Sequence, residues 1–112
     1  MTPKRLSGAD GSFARGQLEP GLVEAYVVFL SGRVQGVGFR WFTEREARAR
    51  DVRGYVRNLP DGRVEVLAQA EEAVLMLFCE RLREGPRASR VEKMETMTIT
   101  VDPELSSFTV RL

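Results

Sequence analysis

Apolar positions along this chain alternate between the period of a strand and the period of a helix. Ala25 to Ser31 (AYVVFLS) is a continuous apolar run of strand length, rich in β-branched and aromatic residues. Phe42 to Arg50 has helical composition, with Glu44→Arg48 and Glu46→Arg50 at the stabilising i,i+4 spacing. Its apolar stripe is thin: Phe42, Ala47 and Ala49. Gly54 then opens a short strand, Tyr55 to Leu59, and Pro60-Asp61-Gly62 turns the chain into the alternating Val64, Val66, Ala68 strand. Glu71 to Glu84 is the stronger helix. Acidic residues open it, Val74, Leu75, Phe78 and Leu82 line one face, and Gly85-Pro86 stops it. Strand alternation returns at Arg90 to Val101, breaks at Pro103, and closes at Phe108 to Leu112. The order is β-α-β-β-α-β with an extra terminal strand. It predicts an α+β fold, the ferredoxin-like sandwich in which a mostly antiparallel sheet carries two helices on one face.

Residues 1–22 contain four glycines and two prolines and show no sustained period. They read as a flexible N-terminal tail, leaving 23–112 as a single domain. Lys4, Arg5 and Arg15 raise the idea of a transit peptide, but Asp10 and Glu19 count against it. With 112 residues, 43% hydrophobic and 29% charged, the composition is that of an ordinary globular protein. Seventeen basic and sixteen acidic residues leave a net charge of +1, too little for a protein whose main work is coating nucleic acid. The single cysteine, Cys79, excludes an internal disulfide framework and fits a reducing compartment, so a cytoplasmic setting is expected. No apolar run is long enough to span a bilayer, and no membrane partner is expected.

The chain has no histidine, which removes Ser-His-Asp and Cys-His nucleophile systems and the usual histidine-containing zinc sites. What remains is the loop Gly32-Arg33-Val34-Gln35-Gly36-Val37-Gly38-Phe39-Arg40, between the first strand and the first helix. Its glycines let successive backbone N–H groups turn inward, the helix start adds unpaired donors, and Arg40 adds a planar fork for two phosphate oxygens. Such a site cannot help a poor alkoxide leave. An acyl phosphate needs no such help, because its leaving group is a carboxylate that departs without protonation. Cradling the phosphate and aiming a water then suffices. Asn58, uncharged and able both to donate and to accept, is a sensible water-aiming residue at its strand end.

From about Glu24 to Leu112 the chain resembles the acylphosphatases, small enzymes that cleave carboxyl phosphates. Two motifs carry the resemblance: the loop above, and Gly54-Tyr55-Val56-Arg57-Asn58-Leu59-Pro60-Asp61-Gly62-Arg63-Val64-Glu65, in the family's order and separation. The helix stop Gly85-Pro86 and the Phe108-Thr109-Val110 strand are also similar. The resemblance implies that Arg40 binds the phosphate, that Asn58 orients the attacking water, and that the amides of Gln35, Gly36, Val37, Gly38 and Phe39, with that of Arg40, form the phosphate cradle. It implies no metal and no cofactor, and a small-molecule acyl phosphate as partner, split into a carboxylic acid and inorganic phosphate. A monomer is expected. Two departures stand out. Arg50-Asp51 occupies the place of a common Leu-Gly pair, which should thin that helix's core contact and put Asp51 in a backbone conformation suited to glycine. Ala70 stands where glycine is frequent.

Other readings compete at particular residues. Asn58 could instead make an Asx-type turn before Pro60-Asp61. Trp41 and Phe42 could stack bases, although on a helix such residues are expected in the core. The βαββαβ order is shared with RNA-binding RRM domains, and Gly38-Phe39-Arg40-Trp41-Phe42 loosely resembles their aromatic motif, but it follows the first strand instead of lying on a central one. A non-catalytic or channelling domain, of the kind fused to larger carbamoyl-transfer proteins, is a further alternative. Arg33, Arg57 and Arg63 read as solvated charges, Glu71-Glu72 as helix N-terminal charge, and Cys79 as an inert packing residue.

Overall fold

A computed structural model describes residues 21–112. Alternation decides which side of each strand faces inward. Along β1 (Val23–Arg33), Val28 and Leu30 are fully buried; opposite them on β3 (Val64–Glu71) are Val66 and Val64, buried equally. The element order is β1, α1 (Phe39–Ala49), β2 (Arg53–Asn58), β3, α2 (Glu72–Glu84), β4 (Arg90–Ile99) and β5 (Phe108–Arg111). The five strands lie in the order β4-β1-β3-β2-β5. All pairings are antiparallel except β2 with β5, which run parallel with Val56 opposite Val110. This is the expected ferredoxin-like α+β fold with its added strand. The 1–22 tail lies, but for Gly21 and Leu22, outside the described residues. Among the described residues no helix is long and apolar enough to cross a membrane.

The core forms between the sheet and the helices. Phe39 and Ala47 of α1, and Leu75, Phe78 and Leu82 of α2, pack on Val28, Leu30, Val56, Val64, Val66 and Ala68. The Phe78 ring meets Phe108 of β5 edge-on, with centroids 6.2 Å apart. Gly54 owes its identity to the sheet: its φ is 144°, and a Cβ there would lie 1.8 Å from the Leu67 carbonyl oxygen.

Helix α1 begins three residues before the predicted Phe42, inside the glycine-rich motif, and its buried stripe is Phe39, Thr43 and Ala47 rather than Phe42, Ala47 and Ala49. Thr43 is tolerated there because its hydroxyl donates to the Phe39 carbonyl at 2.8 Å. Trp41 is not core: it is 62% exposed, two positions round the helix from Phe39. Phe42 is half-buried beneath the Arg81 guanidinium. Both predicted i,i+4 pairs form. Glu46 also accepts two hydrogen bonds from Arg81 of α2, at 3.1 and 3.2 Å, which ties the helices together. This bonding, with the two positive charges, holds the Glu46 carboxyl below its ordinary value.

The C-terminus of α1 closes in a Schellman arrangement. The Val52 amide donates to Ala47 O at 2.8 Å and the Asp51 amide to Arg48 O at 3.3 Å, with Val52 and Ala47 both buried. Asp51 has φ 55°, the left-handed conformation expected for it and the only such non-glycine among the described residues. Arg50, Asp51 and Ala70, the departures noted in the sequence, line one cavity of about 390 Å³ with Val23, Arg53 and Val74. It lies at the end of the sheet where β2 begins, away from Asn58.

Candidate active site

At the opposite end of the sheet, the loop between β1 and α1 meets the end of β2. Gly36 and Gly38 have φ of 75° and 82°, and a Cβ on either would touch nothing within 4 Å. Conformation, not crowding, therefore requires glycine there, and the loop's inner side is open. Gly38 caps α1 without a side-chain hydrogen bond, and no acidic residue occupies the first turn. The first bond into the helix runs from the Phe42 amide to Gly38 O at 3.0 Å. Among the described residues, none of the amides from Gln35 to Trp41 donates to a backbone carbonyl. Among the described residues that leaves a row of donors without backbone partners at the positive end of a helix.

The loop is tied to the rest of the site by the Gln35 side chain. Its Nε2 donates to Leu59 O at 2.8 Å and to Arg63 O at 2.9 Å, fastening the loop to the β2–β3 turn. Phe39 is buried beneath, with its ring 6.0 Å from that of Phe42. Arg40 and Asn58 line one cavity of about 360 Å³, with Val34, Gly36, Gly38, Phe39, Trp41, Glu44, Val110 and Leu112. Of the predicted cradle residues, Gly36, Gly38 and Phe39 reach this cavity. Gln35 turns its side chain to the hairpin and Val37 packs against the core.

Asn58 Oδ1 is buried and has no hydrogen-bond partner among the described residues. The Asx-type contact of the turn falls to Asp61, whose Oδ1 accepts the Arg63 amide at 3.0 Å. Among the described residues no carboxylate pairs with Arg40, in contrast to Arg57, which pairs with Glu65, and Arg63, which pairs with Asp61 at 2.8 Å. A buried acceptor without a donor costs stability, whereas the half-buried Arg40 guanidinium keeps its charge available with no carboxylate partner among the described residues. Cys79 lies elsewhere, on α2, and burial pushes its thiol up, away from nucleophilic use. Among the described residues no three Cys, Asp or Glu side chains converge as metal ligands.

The sequence did not bring Trp41, Glu44, Val110 and Leu112 into the site. Glu44 is one helical turn beyond Arg40, a spacing visible in the sequence. Val110 and Leu112 arrive only because β5 lies beside β2.

Comparison with known proteins gives a consistent result. The acylphosphatase family model matches residues 26–110. An acylphosphatase of Thermus thermophilus is 49% identical over 69 residues, covering 62% of this chain and 78% of that protein. The crystal structure of acylphosphatase from Bacillus subtilis superposes with a TM-score of 0.77 at 35% identity, covering 81% of this chain and all of the other. HypF of T. kodakarensis gives a TM-score of 0.71 at 32% identity, covering 80% of this chain but only 12% of that much longer one.

Proposed function

This chain belongs to the acylphosphatase family, enzymes that hydrolyse acyl phosphates, and from that premise we propose how its own residues do so. The loop amides from Gln35 to Phe39 and the Arg40 guanidinium hold the phosphate, and Asn58 aims the attacking water, with no metal taking part. The observation that carries this reading is that Arg40 and Asn58 line one cavity together with Gly36 and Gly38 of the loop. A hydrogen bond from the Asn58 amide group fixes the water with a lone pair turned toward phosphorus. Being neutral, the amide does not repel the phosphate as a carboxylate does.

As the P–O bond to water forms, the P–O bond to the acyl group breaks, and the acid departs as its carboxylate. With an ordinary pKa near ~4 the leaving group needs no general acid. The water's proton passes to solvent or to the released phosphate, so no histidine is required. Arg40 and the loop amides balance charge on the non-bridging phosphoryl oxygens throughout, which together with positioning of the water meets the catalytic demand of such a transfer.

The test is hydrolysis of benzoyl phosphate by the wild type, Arg40→Ala and Asn58→Ala, each with and without EDTA. Removing one preorganised donor typically costs about 10²–10³-fold in kcat, and a loss of that size is expected for Arg40→Ala. Asn58→Ala is expected to lower kcat while leaving inhibition by inorganic phosphate little changed. EDTA is expected to have no effect. Near-normal turnover in Arg40→Ala, or EDTA inhibition reversed by added metal, contradicts the reading.

A further inference from the structure

The lining of the cavity that holds Arg40 and Asn58 mixes two kinds of group: polar ones from Gly36, Gly38, Arg40, Asn58 and Glu44, and apolar side chains from Trp41, Val110 and Leu112. We propose that Trp41, Val110 and Leu112 form the subsite for the acyl group, and that Glu44 selects against acyl groups bearing negative charge, so that the preferred substrates carry uncharged aromatic or bulky aliphatic acyl groups. This rests on the phosphate position argued above.

The geometry follows from the helix. Arg40 and Trp41 are adjacent in its first turn, and Glu44 is three residues beyond Trp41 and four beyond Arg40, so all three face one cavity. A phosphate gripped by Arg40 therefore directs the rest of its substrate along a wall that begins at the Trp41 ring. That ring is large, apolar and well exposed, and no packing role accounts for it. The Arg45 guanidinium lies over it, 4.6 Å from the centroid, which steadies the ring by a cation–π contact while leaving it accessible. Val110 of β5, 37% exposed, extends the apolar wall, and Leu112, just beyond the strand and fully exposed, borders the same cavity. A cavity of about 360 Å³ takes a phosphoryl group together with one aromatic ring.

Glu44 introduces a sign preference. Its carboxylate is largely shielded from water and is paired at 3.0 Å with Arg48, whose side chain is mostly exposed, so the pairing is partly screened by solvent. A second phosphate or carboxylate at the far end of the acyl group meets this like charge, whereas a phenyl ring meets only the apolar wall.

The experiment compares kcat/KM for acetyl, benzoyl and 4-carboxybenzoyl phosphate in the wild type, Trp41→Ala, Trp41→Phe and Glu44→Gln. Benzoyl phosphate is expected to be favoured at least tenfold over acetyl phosphate in the wild type. Trp41→Ala is expected to reduce the benzoyl-to-acetyl ratio about tenfold, and Trp41→Phe to restore most of it. Glu44→Gln is expected to narrow the gap between benzoyl and 4-carboxybenzoyl phosphate about fivefold. Equal losses for all substrates in Trp41→Ala, or an unchanged gap in Glu44→Gln, overturn the inference and leave the proposed reaction standing. Absence of hydrolysis of any of the three by the folded wild type overturns the reaction itself, and the subsite with it.

Discussion

At the scale of single residues, two positions bear strain that the rest of the molecule must outweigh. Asn58 keeps a carbonyl oxygen buried without a partner, at a cost of roughly 1–3 kcal/mol. Asn58→Ala is therefore expected to leave unfolding free energy unchanged or to raise it by about 1 kcal/mol, while turnover falls. Denaturant melts set beside kinetics check this, and a clear loss of stability would show that the amide serves the fold. Asp51 bears the second strain, a left-handed backbone on a residue with a Cβ. Asp51→Gly is expected to add about 1 kcal/mol, a rise of about 5 °C in Tm, with kcat/KM unchanged because the residue lies at the far end of the sheet. A calorimetric scan decides it.

At the scale of elements, helix α1 connects fold and site. Its N-terminal turn carries Arg40 and Trp41, and its middle is anchored by Glu46 to Arg81 of α2. A carboxyl whose native value is lowered binds fewer protons in the folded than in the unfolded state. Glu46 thus contributes its full share above the unfolded value, and that share is lost as pH falls through the lower native one. Glu46→Gln is expected to cost about 1–2 kcal/mol at pH 7 and to flatten the decline of stability with acid below about pH 5. Urea midpoints measured across that range test both parts. The same helix marks what could be read from the sequence. Arg40 and Asn58 stood out because a glycine loop and a strand end leave few other polar groups to suit a phosphate. The helix start did not, because Phe39 to Trp41 have loop neighbours and because Thr43 looks polar until its hydroxyl is seen bonded to Phe39 O. An aromatic residue on a helix is expected in the core, but burial follows the 100° step of the helix, and at Trp41 Phe39 already takes the inward direction. The grouping of Trp41 with Val110 and Leu112 depends on a parallel pairing of β5 with β2, and no local pattern encodes such long-range contact.

At the scale of the whole molecule, the sheet separates two ends with different roles. At one, the loop, Asn58 at the end of β2 and Val110 of β5 line a cavity; the other holds the residues that depart from the family. The sheet's outer strand β4 has a consequence of its own. Among the described residues no strand pairs with its outward row of backbone groups, and the net charge of +1 gives two copies little reason to stay apart. The first half of the strand is guarded by Arg90, Glu92, Lys93 and Glu95, but Thr96 to Ile99 carries no charge, and Met97 there is 56% exposed. Placing a lysine on that stretch, as Met97→Lys, is expected to delay aggregation in mildly destabilising solvent, followed by light scattering, without changing the monomer's circular dichroism. The last residues of β4 are thus the place where this enzyme's shelf life in concentrated solution is decided, by a few uncharged side chains remote from its chemistry.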